Sequence, residues 1–193
     1  QPIVTPSDDL LKLSKDMLAL ELSDVPVVQS HADRTLVGLV RLDNILEKIT
    51  GAIKPSLTVG EIMTHKVITC SPDDDISRVW NVMEQTRCSG LPVVRQDRRK
   101  RRLEVIGVIT RSDVIRSGVA TLGEESDKGR FRSPPRVSSL MRTPAITATP
   151  EMTVSKAGEL MLKRSVGRLP VLARDELVGI VSRSDIIKVA CGD

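Results

Sequence analysis

Three pairs of prolines stand twenty residues apart: Pro6 and Pro26, Pro72 and Pro92, Pro150 and Pro170. A methionine precedes the second proline of each pair by nine residues, at Met17, Met83 and Met161. Recurrence at a fixed spacing means a repeated supersecondary unit, and it constrains the fold more than any local propensity does. Between the prolines, apolar residues recur at helical spacing, as in Leu10, Leu13 and Met17 behind Asp9, a residue suited to cap a helix start. The second proline opens a short apolar run: Pro26-Val-Val28, Pro92-Val-Val94 or Pro170-Val-Leu172. A glycine within a second apolar run follows the proline by 12, 15 or 9 residues, at Gly38, Gly107 and Gly179. Length varies there because a solvated hairpin tip tolerates insertion. Each repeat therefore reads strand, helix, strand, strand, helix. The fold class is α/β (α+β), with small sheets and helices on one face.

The repeats divide the chain into 1–48, 57–120 and 136–193. A linker at 121–135, rich in Gly, Ser, Pro and charge, separates the second repeat from the third. A shorter stretch, Thr50–Ser56, joins the first two. The later repeats open on a lead-in, Val59–Met63 and Val137–Met141, and Thr69 or Thr147 follows six residues after the methionine. The first repeat lacks a lead-in because the chain begins too late to carry one. It reads as N-terminally truncated, with a fourth repeat upstream or another chain as its counterpart.

One stretch carries chemistry. Gly107-Val-Ile-Thr110-Arg-Ser-Asp113 returns as Gly179-Ile-Val-Ser182-Arg-Ser-Asp185, a buried strand running into a helix. Two readings stand side by side. In one, the hydroxyl and carboxylate form a capping box that satisfies the free N–H groups of the first turn. In the other, the same pair beside backbone donors receives a ribose diol next to a phosphate. The first repeat departs from the pattern: Arg41 replaces the hydroxyl, Asn44 the aspartate and Ile3 the threonine. It reads as structural, or as a lender of contacts to a neighbouring cleft.

Composition excludes much else. Cys70, Cys88 and Cys191 lack metal-type spacing and suit a reducing, cytoplasmic compartment. His31 and His65 stand alone, so no catalytic set is expected, and no apolar run reaches membrane-spanning length. The net charge of +4 permits an anionic ligand. Arg98-Arg-Lys-Arg-Arg102, in the long hairpin tip, is a solvated charge run or a contact for nucleic acid or another polyanion. Trp80 and Phe131 are the only aromatics, too few for base stacking.

Taken in order, the lead-in ending in methionine, the h-x-Thr-x-x-Pro turn, the Pro-Val-Val strand and the Gly-h-h-Thr/Ser-x-x-Asp corner resemble cystathionine β-synthase (CBS) domains. The resemblance covers nearly the whole chain outside the linkers. It implies β-α-β-β-α units that pair through their sheets into a regulatory, non-enzymatic Bateman module, here as a homodimer or with another such unit. It implies no catalytic cofactor and no metal. The regulatory ligand is an adenosine compound (AMP, ADP, ATP or S-adenosylmethionine) in the cleft between the second and third repeats. The resemblance assigns Thr110, Asp113, Ser182 and Asp185 to the ribose. It assigns Ile68, Thr69, Gly90, Leu91, Pro92, Ile146, Thr147, Arg168, Leu169 and Pro170 to the adenine. Arg111 and Arg183, at the helix starts, are candidates for the phosphate or ordinary solvated arginines. A scaffold with empty clefts is the alternative function.

Overall fold

The prolines that set the repeat also limit its sheets. In a computed structural model, which describes residues 2–51, 53–97, 102–118 and 134–192, Pro26, Pro92 and Pro170 lie in the first strand of three hairpins. The first repeat comprises α1 (Leu10–Ala19), β1 (Asp24–Val28), β2 (Leu36–Arg41) and α2 (Leu42–Thr50). The second comprises α3 (Val59–Ile62), α4 (Ile76–Thr86), β3 (Gly90–Asp97), β4 (Arg102–Thr110) and α5 (Arg111–Arg116). The third has a 3-10 turn at Val137–Ser139, then α6 (Val154–Arg164), β5 (Arg168–Ala173), β6 (Glu176–Ser182) and α7 (Arg183–Ala190). Strand β1 pairs with β2, β3 with β4, and β5 with β6. In the first two hairpins the pairing is antiparallel, with a bulge after Val27 and after Val93, one residue beyond the proline.

The expected opening strand of each repeat is reduced to one parallel bridge: Val4 to Val27, Cys70 to Val93 and Ala148 to Val171. Its N–H donates to the proline carbonyl, Val4 to Pro26 at 3.1 Å, Cys70 to Pro92 at 3.1 Å and Ala148 to Pro170 at 2.9 Å. The ladder stops there on one side because proline has no N–H to donate. On the other side Pro6, Pro72 or Pro150 turns the chain away two residues later.

Helix entry follows the sequence reading at Asp9, whose carboxylate accepts from the N–H groups of Leu11 and Lys12. The three spacer methionines are all fully buried. Removing each such side chain from water contributes about 1.5–3 kcal/mol.

The described residues form two compact units. One gathers those of Gln1–Thr64, Ala148–Val171 and Gly179–Asp193; the other gathers those of His65–Thr147 and Leu172–Val178. Within the first, α2 packs on α6 and α7, and Val59 is fully buried. Within the second, Cys70, Ile76, Val79, Met83, Leu91, Ile109 and Val137 build the core.

The lead-ins are exchanged between the later repeats. Thr64, after Met63, pairs with Ile180 of β6, and Arg142, after Met141, pairs with Val108 of β4. Gly107 and Gly179 are the space the lead-ins occupy. A Cβ on Gly107 would stand 2.6 Å from the Arg142 carbonyl oxygen, and one on Gly179 would overlap the Met63 sulfur. Among the described residues the first repeat carries no such cover. A Cβ on Gly38 would meet only Val27, at 3.9 Å, and Leu36, Val37 and Leu39 beside it are exposed.

Pro135, read as the end of the linker, accepts from the Ile76 N–H at 3.0 Å. Most of the 121–135 linker and residues 98–101 of the basic run lie outside the described residues. No described helix is long and apolar enough to cross a membrane.

Candidate functional site

Both strand-to-helix corners are capping boxes. Thr110 is extended (φ −124°, ψ 160°), and its N–H donates to Asp113 Oδ2 at 3.0 Å, while its hydroxyl donates to the same oxygen. The Asp113 N–H returns a bond to Thr110 Oγ1 at 3.3 Å. Ser182 repeats the pattern: its N–H and hydroxyl reach Asp185 Oδ2 at 2.8 and 2.7 Å, and the Asp185 N–H reaches Ser182 Oγ at 3.4 Å. The reciprocal cap fixes each carboxylate rotamer and occupies one oxygen. At the first repeat the Arg41 N–H donates to Asn44 Oδ1 at 3.1 Å, so the cap survives there without a negative charge.

The second oxygen separates the two corners. Asp113 Oδ1 accepts from Arg142 Nε at 2.9 Å. Asp185 Oδ1 has no hydrogen-bond partner among the described residues, and Asp185 is half-buried where Asp113 is buried. A carboxylate oxygen left open on a fixed rotamer is an acceptor for hydroxyl donors.

The arginines that follow each hydroxyl are engaged within their own units. Arg111 Nη2 donates to the Met83 carbonyl at 2.8 Å and lies 3.3 Å from Glu84 Oε1. Arg183 Nη1 lies 2.7 Å from Asp43 Oδ1, a residue of the first repeat. The Nε atoms of both arginines are buried and have no hydrogen-bond partner among the described residues.

The structure brings the second-repeat residues together. Gly90 is paired in register with Thr110, Leu91 with Ile109 and Pro92 with Val108. The half-buried Ile68 and Thr69 run into the Cys70 bridge on Val93. In the third repeat, the Arg183 N–H reaches the Gly167 carbonyl at 3.1 Å, as the Arg111 N–H reaches Ser89 at 3.0 Å. Arg168, Leu169, Pro170, Ser182 and Asp185 lie in the first compact unit; Ile146 and Thr147 end the long segment of the second. Leu91 is 1% exposed and Leu169 fully buried, so both are core residues beneath their corners.

Arg142, Asp43 and Glu84 were not among the residues expected from sequence. Arg142 is placed by its lead-in rather than by any local pattern, and only its position after Met141 hints at it. Arg102, the described end of the basic run, is committed to the Asp175 carboxylate at 2.9 Å and the Arg174 carbonyl at 3.2 Å.

Among the described residues, no three His, Cys, Asp or Glu side chains are grouped to hold a metal. Burial, with the Asp74 charge second, pushes the Cys70 thiol up to about 12, far from a reactive thiolate.

The CBS domain family model matches residues 1–51, 59–119 and 137–192. The chain belongs to the CBS domain family. It is 31% identical over 129 residues to the CBS domain-containing protein YhcV of Bacillus subtilis, covering 67% of this chain and 82% of that one. It is 28% identical over 190 residues to an inosine-5'-monophosphate dehydrogenase of Methanocaldococcus jannaschii, but spans only 34% of that protein's length. Among solved structures, protein MJ1225 of M. jannaschii superposes with a TM-score of 0.78 at 21% identity, covering 97% of this chain and 66% of that one. Two CBS structures solved with ligands share the fold over shorter spans. The MJ0100 CBS pair, with 5-methylthioadenosine and S-adenosyl-L-methionine, gives a TM-score of 0.58 at 22% identity, covering 72% of this chain and 98% of that one. CBSX2 with AMP gives 0.55 at 21% identity, covering 70% and 97%.

Proposed function

We propose that this CBS chain is a regulatory, non-enzymatic protein that binds an adenosine-containing ligand, with the Ser182–Asp185 corner receiving the ribose. One observation carries the reading: the cap holds Asp185 in place through Oδ2 and leaves Oδ1 open to the sugar hydroxyls. The arginine on the same turn adds to it. Arg183 Nε is a buried donor without a hydrogen-bond partner among the described residues, and such a group is costly unless something meets it. Known ligands within the family support the ligand class, since MJ0100 was solved with S-adenosyl-L-methionine and CBSX2 with AMP. Cys70, Cys88 and Cys191 form no disulfide, which fits a cytoplasmic setting. The ligand regulates a partner by the difference in its affinity for two conformations and by no more than that difference.

The test is calorimetry and thermal shift with AMP, ADP, ATP and S-adenosylmethionine, against a GTP control. A ligand present at a hundred times its Kd stabilises by about 2.7 kcal/mol, a shift of several degrees. Asp185→Asn keeps a carbonyl for the cap but loses the charge, so affinity falls about 10- to 100-fold while the melting temperature of the free protein moves little. A variant that melts lower but keeps its affinity returns Asp185 to the cap alone and leaves the scaffold reading in place.

A further inference from the structure

The two corners are alike in sequence but not in what faces them. At the second repeat, the backbone of Arg142 is anchored on β4 by a reciprocal pair, its N–H to the Val108 carbonyl at 2.9 Å and the Val108 N–H to its own carbonyl at 3.0 Å. From that anchor the side chain places Nε 2.9 Å from Asp113 Oδ1. The carboxylate side chain is only 7% exposed, whereas that of Arg142 is 47% exposed. With Thr110 on Oδ2 and a guanidinium on Oδ1, both oxygens are engaged and the negative charge is matched. A ribose diol brings only neutral hydroxyl donors there and must displace a charge-assisted bond.

Thr64 holds the corresponding place at the third repeat. Its N–H reaches the Ile180 carbonyl at 2.9 Å and the Ile180 N–H returns at 3.0 Å. The anchor is the same, but a threonine is too short and carries no charge to cover Asp185. The lead-in therefore decides, by one side chain, whether the corner it packs beside stays open.

We infer that Arg142 is a built-in competitor that holds the Asp113 corner shut to a nucleoside diol, leaving the chain one open ribose corner and one latched. The inference rests on the adenosine reading for its choice of probe, and the test separates the two. Titration calorimetry with adenosine, which has the diol but no phosphate, counts equivalents on the unsubstituted chain and on Arg142→Met. The backbone pair with Val108 does not depend on the side chain, so the anchor stays. The expected result is one further equivalent on the variant, lost again when Asp113→Asn is added. Arg142→Gln gives the same gain if the guanidinium is the latch, and it serves should the methionine variant fold poorly. Equal counts on the unsubstituted chain and both variants overturn the latch. If the unsubstituted chain binds no adenosine, the reading of Asp185 fails, while a gained equivalent on the variants still establishes Arg142 as the competitor.

Discussion

The first CBS repeat and the two later ones share their interior and differ at their edges. All three bury the spacer methionine, all carry a single parallel bridge onto the residue after the second proline, and all cap the closing helix from its third residue. The later repeats also cover their glycine with a lead-in and place a carboxylate at the corner. The first leaves Gly38 bare and replaces the acid with Asn44. Two sets of constraints are therefore separable in one repeat. Packing needs a particular volume at a particular spacing. The charge at the corner is a separate matter, since Asn44 caps its helix without one.

The largest test of that separation lies in the interior. Met17→Ala, Met83→Ala and Met161→Ala should each cost about 2–5 kcal/mol in denaturant unfolding, since each empties a fully buried site. A cost below about 1 kcal/mol at Met17 alone would break the equivalence of the first repeat.

A smaller and graded effect is expected at the three glycines. Gly107→Ala meets a backbone carbonyl and should cost about 1–3 kcal/mol. Gly179→Ala meets the flexible Met63 side chain and should cost less. Gly38→Ala makes only an ordinary contact with Val27 and should stay within about 0.5 kcal/mol. A large cost at Gly38 would mean that some other segment covers that edge in solution.

The last test concerns the thiols. At pH 8 a thiol reagent should modify Cys88 and Cys191 in the native protein and spare Cys70, which is buried. Because burial raises the Cys70 thiol from 9.0 to about 12, the unfolded chain loses this proton first. Stability should therefore decline as pH rises from about 9 toward 12, and Cys70→Ala should remove that part of the decline. Rapid labelling of Cys70 at pH 8 in the native state would contradict its burial.

Much of this molecule is legible in its sequence. The proline ruler placed the hairpins, the methionine marked the core, and the Thr/Ser-x-x-Asp spacing announced the capping boxes, because each of these is a local pattern with a fixed period. The opening strands are shorter than the pattern suggests: the bonds that a longer strand needs are denied by Pro26, Pro92 and Pro170, which lack an N–H. The exchange of lead-ins was not legible at all. Nothing periodic links Thr64 to Ile180 or Arg142 to Val108. For the same reason the pair from Arg142 to Asp113 and the pair from Arg183 to Asp43 escaped notice, since an ion pair between distant segments leaves no mark on spacing. Asp43 of the first repeat reaches Arg183 of the third.

The exchange of lead-ins has a consequence for the order of events as the chain emerges during synthesis. The second compact unit draws nearly all its residues from one continuous stretch, His65–Thr147, and can collapse as that stretch appears. The first unit cannot. Its N-terminal portion must wait for Ala148–Val171 and Gly179–Asp193, with the whole intervening stretch to be spanned. Closing so long a loop adds little to the equilibrium cost, about 0.6 kcal/mol for each doubling of length, but contacts this distant in sequence form slowly. Until then Leu46 and Ile49 of α2 have no α6 or α7 to cover them. A nascent chain stopped before Ala148 would carry the helices and hairpin of the first repeat but not the α6 and α7 that pack on α2.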